Sequence, residues 1–130
     1  IDLFKILNDT HGHQAGDAVL QALAGYLSDN SRASDLVCRW GGEEFVVVMP
    51  HTPLEGAVQR AETWRADFAA NPVNFVGLAL DNTFSAGIAV WPADGDTPAA
   101  LLRAADDALY RAKTGGRNSV VVSAAPAPAC

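Results

Sequence analysis

The amino-acid sequence predicts one α+β domain, an α/β sandwich in which helices flank a central and mainly antiparallel sheet. Short apolar runs come in pairs, as neighbouring antiparallel strands do. Between these pairs lie longer segments whose apolar residues recur at helical spacing. The 130 residues are 49% hydrophobic and 18% charged, which supplies one core but is too short a chain for two ordinary domains.

The first half of the chain predicts a helix, a loop and a strand pair. Apolar residues at helical spacing place the helix at residues 16–27, and a polar loop follows at residues 28–35. The strands are expected at residues 36–40 and 45–49. Gly41-Gly42-Glu43-Glu44 lies between them, and a Gly-Gly step is typical of a hairpin turn that requires positive φ. Both glutamates are therefore expected at or just after a tight turn.

The next helix has a clear predicted start and end. Thr52 is expected as the N-cap, Pro53 as the first helical residue, and Glu55 as the partner in a capping box. The apolar stripe that follows runs to Ala70, where Asn71-Pro72 ends the helix.

The last part of the chain predicts two strands, a helix and a final strand. Thr97-Pro98 starts the helix and Gly115-Gly116 stops it. The domain is expected to occupy residues 1–122, followed by a disordered tail at residues 123–130. The strands are expected at residues 75–80 and 83–91, joined by a turn at Asp81-Asn82, and at residues 119–122.

Charge and hydropathy exclude several classes of protein. A formal charge of −6 argues against a nucleic-acid binder, which would carry a basic face. No apolar run approaches the ~20 residues of a membrane span, so we expect no membrane segment in this chain. Cys38 and Cys130 are the only cysteines, which makes a disulfide framework improbable and favours a cytoplasmic location.

Two polar clusters have residue types suited to a metal or a heterocyclic ligand. Glu43 and Glu44 are hard oxygen ligands of the kind that Mg²⁺ takes together with substrate phosphates. The alternative is a solvated hairpin tip. Residues 8–17 form a polar segment that enters a helix and offers groups for the edge of a heterocycle. The alternative there is a capped loop.

Two pairs of charged residues can also be interpreted from their positions in the sequence. Lys113 and Arg117 flank a glycine-rich helix exit, where they can converge on a phosphate or simply compensate the helix C-terminus. Arg32 and Asp35 lie three residues apart and can form a surface pair of small energetic value.

Taken together, these segments resemble the GGDEF family of diguanylate cyclases. Gly41-Gly42-Glu43-Glu44-Phe45 is similar to the signature of that family in its GGEEF form. The other matches follow in the family's order: Phe4-Lys5-Ile6-Leu7-Asn8-Asp9, Gly12-His13, Gly16-Asp17, Ser85-Ala86-Gly87-Ile88-Ala89, and residues 105–113 with Gly116-Arg117-Asn118.

The resemblance implies a fold similar to the nucleotidyl cyclase and palm folds, and it implies an activity. Members of the family condense two GTP molecules into cyclic di-GMP and two pyrophosphates, with Mg²⁺ or Mn²⁺ as cofactor. The reaction requires a homodimer, because each copy carries one GTP half-site. An N-terminal sensory or receiver module is expected in the parent protein.

The resemblance also implies roles for individual residues. Glu43 and Glu44 would be the catalytic residues and would bind the metal together with the backbone carbonyl of Ile1. The substrate-binding residues would be Phe4, Lys5, Lys113 and Arg117 at the phosphates, Asn8, His13 and Asp17 at the base and ribose, and Gly41 and Gly42 where the nucleotide approaches the backbone.

Arg32 and Asp35 match the RxxD motif of the family, where the product cyclic di-GMP binds and inhibits. Thr63 stands where the family often has a further arginine, with Arg60 and Arg65 nearby. We therefore expect weaker or differently posed product binding.

One departure from the family supports an alternative function. The family's metal-binding aspartate would precede Ile1, as would its first strand, so that Asp2 is the second and less critical acid. The chain is therefore expected to be N-terminally incomplete. The alternative function is a catalytically weak domain that binds cyclic di-GMP or GTP and signals onward.

Overall fold

The computed structural model describes residues 1–123, so all of the predicted tail except Ser123 lies outside the described residues. The helices are α1 (Phe4–His11), α2 (His13–Asp29), α3 (Leu54–Ala70) and α4 (Pro98–Thr114). The strands are β1 (Leu36–Arg39), β2 (Phe45–Val48), β3 (Val73–Phe75), β4 (Leu78–Leu80), β5 (Ala86–Ile88) and β6 (Val120–Val122).

The strands form three two-stranded ladders, which confirms the predicted α+β class. Strands β1 and β2 pair antiparallel, with Leu36 opposite Val48 and Arg39 opposite Phe45. Strands β3 and β4 also pair antiparallel, whereas β5 and β6 are parallel. Helix α4 lies against β5 so closely that a Cβ on Gly87 would be 2.2 Å from the carbonyl oxygen of Ala105. This contact fixes α4, and with it the C-terminal cations, relative to the strands.

The core forms where α2 and α3 face each other and the strands. Its members are Ile1, Ala15, Val19, Leu20, Leu23, Leu27, Trp64, Phe68, Leu80 and Phe84. The rings of Phe68 and Phe84 lie 5.8 Å apart in a tilted arrangement. No helix within residues 1–123 is long and apolar enough to cross a membrane.

Helix α1 was not predicted, and the polar segment of residues 8–17 is not a loop. The chain is helical to His11, breaks at Gly12 with φ of 91°, and resumes as α2 at His13. Such a φ favours glycine, which has no Cβ to clash. Helix α1 packs Phe4 and Leu7 against the core, but its eight residues are too few for a periodic pattern to identify it from the sequence.

The β1–β2 hairpin is confirmed, but its predicted turn is wrong. The connection spans residues 40–44, and the amide of Trp40 donates to the carbonyl of Glu44 at 2.8 Å. Neither Gly41 nor Gly42 is among the glycines with positive φ. The longer loop removes the need for a primed two-residue turn.

The N-terminus of α3 also differs from the prediction, whereas that of α4 agrees with it. Pro53 is the N-cap residue of α3, with no side-chain cap, and the Thr52 hydroxyl donates instead to the carbonyl of Pro50 at 3.2 Å. The predicted capping box is therefore absent. Helix α4 begins at Pro98 as predicted, and the Thr97 hydroxyl oxygen accepts from the amide of Ala100 at 3.1 Å.

The predicted strand at residues 75–80 is in fact the β3–β4 hairpin. Val76 and Gly77 form its turn with φ of 48° and 78°. These values match a primed turn, in which valine is unusual. Asp81-Asn82 does not connect paired strands, and β5 is much shorter than predicted.

Candidate functional site

The N-terminal segment, the hairpin loop and the end of α4 meet at one place. The backbone nitrogen of Ile1 donates to the carbonyl of Glu43 at 3.2 Å. The charges of Asp2, Lys113, Glu43 and Glu44 lie close enough to act on this nitrogen. The structure therefore brings together Ile1, both glutamates and Lys113, which are far apart in the sequence.

The hairpin loop that carries the glutamates is held by a residue that sequence reasoning missed. The Arg39 guanidinium donates through Nη2 to the carbonyl of Gly42 at 2.6 Å and through Nε to that of Gly41 at 3.3 Å. The sequence signal for this role was an arginine at the end of a predicted strand, shortly before a Gly-Gly step. Arg39 fixes the loop without using either glutamate side chain.

Glu43 and Glu44 are half-buried, which disagrees with a fully solvated hairpin tip. Within residues 1–123, neither carboxylate makes a hydrogen bond or an ion pair. Their oxygens therefore remain available to a ligand that brings positive charge.

The oxygen donors of this site fit a metal ion that takes its remaining ligands from a substrate. Within the described part of the chain, no three His, Cys, Asp or Glu residues are grouped as a metal site. Two unpaired carboxylates and a backbone carbonyl leave several positions to be filled by phosphate oxygens and water. Mg²⁺ is usually bound in this way, through one or two carboxylates plus substrate phosphates.

The two glycines of the loop are not required by the fold. A Cβ added at Gly41 or at Gly42 would meet nothing within 4 Å, and neither residue has positive φ. Both glycines are exposed. This part of the surface can therefore admit a ligand close to the backbone.

A second group of predicted residues forms where α1 crosses the start of α2. A Cβ at Gly16 would be 1.9 Å from Oδ1 of Asn8 and 3.0 Å from the Phe4 ring, so the helices approach closely here. Oδ1 of Asn8 is buried without a hydrogen-bond partner. Asp17, next to Gly16, is exposed. Oδ1 of Asn8 is buried against Gly16, whereas the exposed carboxylate of Asp17 can accept from the N–H groups of a base edge.

The first turn of α1 presents free amides. Leu3 precedes the helix with φ of 54° and provides no side-chain cap. The first helical N–H groups, at Phe4 and Lys5, have no intrahelical acceptor, and such groups suit an anion. Lys5 and His13 are both exposed. The structure records no contact that links His13 to the other site residues.

Helix α4 ends in a turn that carries the other predicted cation. The amide of Arg117 donates to the carbonyl of Ala112 at 2.9 Å, and Arg117 and Asn118 have φ of 63° and 45°. Arg117 is exposed, while Lys113 is half-buried beside the N-terminal segment. The position of Lys113 therefore goes beyond compensation of the helix C-terminus.

Asp2 is the buried acid at the centre of these segments. Its carboxylate accepts from the hydroxyls of Ser85 and Thr83 at 2.6 and 2.7 Å, and from the amide of Asn118 at 3.0 Å. Burial tends to raise the pKa of this carboxyl, but the three hydrogen bonds outweigh burial and hold it below its usual value.

The candidate product site is closed by an ion pair. Nη2 of Arg60 lies 2.5 Å from Oδ2 of Asp35, whose side chain is only 1% exposed. The Arg32 amide donates to the same oxygen at 2.8 Å, but the predicted pairing of the Arg32 side chain with Asp35 is not observed. The hydrogen bond from Arg60 lowers the pKa of Asp35 against the opposing effect of burial. The Thr63 hydroxyl only donates back to Gln59, at 3.0 Å.

A surface depression of about 560 Å³ lies apart from these residues. Its lining includes Asp94, Arg103, Asp107, Tyr110 and Arg111. None of the predicted site residues contributes to it, so it does not mark the candidate site.

Comparison with known proteins shows which family the chain resembles. A family model described as diguanylate cyclase, GGDEF domain, matches residues 1–119. The response regulator PleD of Caulobacter vibrioides is 49% identical over 127 residues, which are 96% of this chain. The chain spans 28% of the length of that relative.

Solved structures have the same fold. The active GGEEF domain of a diguanylate cyclase from Vibrio cholerae matches with a TM-score of 0.77 and 32% identity, over 95% of this chain and 78% of that one. The GGDEF domain of DgcB from Caulobacter crescentus, in complex with c-di-GMP, matches with a TM-score of 0.81 and 28% identity, over 95% and 73%.

Proposed function

Because the chain belongs to the GGDEF family of diguanylate cyclases, we propose that it is a catalytic domain that condenses two GTP molecules into cyclic di-GMP. The observation that supports this most is the pair of half-buried, unpartnered carboxylates of Glu43 and Glu44 near the N-terminal segment, on which Lys113 also acts. Mg²⁺ or Mn²⁺, held by these glutamates and the Ile1 carbonyl, would neutralise charge on the phosphate oxygens.

In the proposed reaction the residues have two tasks, which are proton transfer and binding of the leaving group. Glu43 accepts the proton of a 3′-hydroxyl as its oxygen attacks the α-phosphorus of the other nucleotide. Each attack forms one phosphorus–oxygen bond and breaks the bond to the leaving pyrophosphate. Lys113, Arg117 and the first amides of α1 hold the leaving group, since positioned cations and N–H groups provide most of the catalysis in phosphoryl transfer.

Recognition of guanine is assigned to the α1–α2 contact. Asn8 is assigned to the base edge, and the exposed Asp17 can accept from the guanine N1 and N2 donors. His13 is assigned to the ribose side. Gly41 and Gly42 allow the nucleotide to approach the loop backbone.

Each copy carries residues for one GTP, so the proposed enzyme works as a homodimer in which two half-sites face each other. PleD is named a response regulator, and we expect a receiver or sensory module to control this pairing in the parent protein. We place the domain in the cytoplasm, where GTP is available.

Product feedback is proposed at Arg32 and Asp35. A crystal structure of DgcB contains c-di-GMP. Arg32 is exposed and offers a planar guanidinium for stacking and forked hydrogen bonds. Asp35 would bind a guanine edge once its pair with Arg60 opens.

A second candidate function rests on the small number of acidic ligands. The described residues group no third acid with Glu43 and Glu44. A domain with so few ligands can act as a GTP or cyclic di-GMP binding module with weak catalysis. Turnover of GTP to cyclic di-GMP with Mg²⁺, measured beside GTP affinity, separates the two functions: an enzyme shows both, and a binding module shows affinity without turnover.

A further inference from the structure

The carboxylate of Asp2 connects three distant parts of the chain. Asp2 is 7% exposed, and its partners Thr83, Ser85 and Asn118 lie 81, 83 and 116 residues away. Its own amide donates to the carbonyl of Thr83 at 2.9 Å. Ser85 and Thr83 precede β5, whereas Asn118 lies in the turn after α4. Asp2 therefore joins the N-terminal segment to both.

The turn that Asp2 holds has an unfavourable backbone conformation. Arg117 and Asn118 both have positive φ, a conformation that residues with a side chain rarely adopt. Asn118 is held from two sides: its amide donates to Asp2 at 3.0 Å, and its Oδ1 accepts from Nη1 of Arg65 at 2.9 Å. Without the Asp2 carboxylate, the amide of Asn118 loses its acceptor.

We infer that Asp2 is a positioning residue that fixes Arg117, through the amide of Asn118, for the terminal phosphates of a bound nucleotide. The inference rests on the proposed function. It differs from the role of a lesser metal ligand, because both oxygens of Asp2 already accept hydrogen bonds from the protein. A carboxylate satisfied in this way has less to offer a cation than Glu43 and Glu44 have.

The test compares two nucleotides that differ only in the phosphates that Arg117 would hold. In the protein that carries this chain, Asp2→Ala should weaken GTP binding about tenfold or more while GMP affinity changes by less than about threefold. Ser85→Ala is the matched control: it removes one partner of Asp2 but leaves the bond to Asn118, and GTP affinity should stay within about threefold. Equal losses for GTP and GMP in Asp2→Ala would overturn the inference.

A double variant tests whether Asp2 acts through Arg117. Arg117→Ala alone should weaken GTP binding, and adding Asp2→Ala should cost little more, since coupled residues are not additive. Additive losses would contradict the inference. If Asp2→Ala fails to fold, Asp2→Asn replaces it: its amide oxygen can still accept from Asn118 and Thr83, while the hydroxyl of Ser85 turns to accept from its NH2 group. GTP affinity in Asp2→Asn should stay within about threefold of wild type, and a loss of about tenfold or more would contradict the inference.

A measurement without nucleotide separates this inference from the proposed function. Hydrogen exchange at the Asn118 amide should speed up in Asp2→Ala, while the amides of the β1–β2 hairpin keep their protection. Unchanged exchange at Asn118 would overturn the inference even if GTP binds. Failure of the parent protein to bind GTP, with faster exchange at Asn118 in the variant, would instead refute the proposed function.

Discussion

Arg60 of α3 and Asp35 form an ion pair of 2.5 Å that closes the candidate product site from within. The guanidinium of Arg60 also lies 5.0 Å from the centre of the Trp64 ring. Oδ1 of Asp35 and Nη1 of Arg60 are buried without partners. In the proposed product site a guanine edge reaches this carboxylate when Arg60 withdraws, so the proposal makes cyclic di-GMP and Arg60 competitors for Asp35.

The first prediction concerns this competition. Arg60→Ala should tighten cyclic di-GMP binding, because the guanine N–H donors take the place of the lost guanidinium. The same change should lower the free energy of unfolding by about 3 kcal/mol, since it leaves a buried charge unpaired. Calorimetry with cyclic di-GMP and denaturant unfolding measure the two effects.

Thr63→Ala is the control, because the Thr63 hydroxyl bonds only to its own helix. Thr63→Ala should measurably change neither the affinity for cyclic di-GMP nor the free energy of unfolding. Weaker product binding in Arg60→Ala would show that Arg60 is a ligand of the product rather than its competitor.

The second prediction is a pH dependence that arises from Asp35. The pKa of Asp35 is lowered in the folded state, so the folded protein binds this proton less readily than the unfolded chain does. The stabilisation is therefore complete above the unfolded pKa of about 3.9 and is lost as the pH falls through the folded value.

Wild type and Asp35→Asn should differ in free energy of unfolding by a constant amount above about pH 5, and the difference should shrink below about pH 4. Denaturant unfolding at a series of pH values measures it. Asp2 also has a lowered pKa, but wild type and Asp35→Asn both contain it. Its contribution to the pH dependence therefore cancels in the difference between their free energies of unfolding. A difference that stays constant down to pH 2 would contradict the role of the Arg60–Asp35 pair.

The third prediction distinguishes glycines that leave space for the nucleotide from a glycine that the packing of the fold requires. Gly41→Ala and Gly42→Ala should leave the thermal midpoint unchanged or slightly higher, since the added Cβ meets open space. Both should raise the KM for GTP, because the nucleotide approaches this backbone. Gly87→Ala is the contrasting variant and should lose stability, since its Cβ would lie 2.2 Å from the Ala105 carbonyl. Unchanged KM values in the loop variants would remove the loop from the nucleotide site.

Local patterns in the sequence predicted those helices and strands that local interactions determine. The stripes of α2, α3 and α4 face the core, so periodicity predicted these helices, whereas the capping box predicted for α3 did not form. Helix α1 has only eight residues, which is too short for a periodic pattern to identify it. The Val76-Gly77 turn places a valine at positive φ, which local preference does not predict.

The candidate site was predicted from its motif, whereas its supporting contacts were not. Glu43, Glu44 and Lys113 were named from the family resemblance and do lie near Ile1. The contacts of Asp2 with Asn118 and of Arg60 with Asp35 join residues 116 and 25 positions apart. Such pairings depend on how the elements pack and cannot be deduced from spacing along the chain.

The most direct test of the proposed activity is production of cyclic di-GMP from GTP with Mg²⁺, in the parent protein and in Glu43→Gln. This variant keeps the size of the side chain and removes its charge, so it should lower the rate at least 100-fold, in line with the loss of a general base. Glu55→Gln, on the first turn of α3, removes an exposed carboxylate elsewhere and should keep the rate. Wild type and Glu55→Gln should therefore form cyclic di-GMP at similar rates. A Glu43→Gln protein as active as wild type, or a GTP-binding wild type that forms no cyclic product, would contradict the proposed activity.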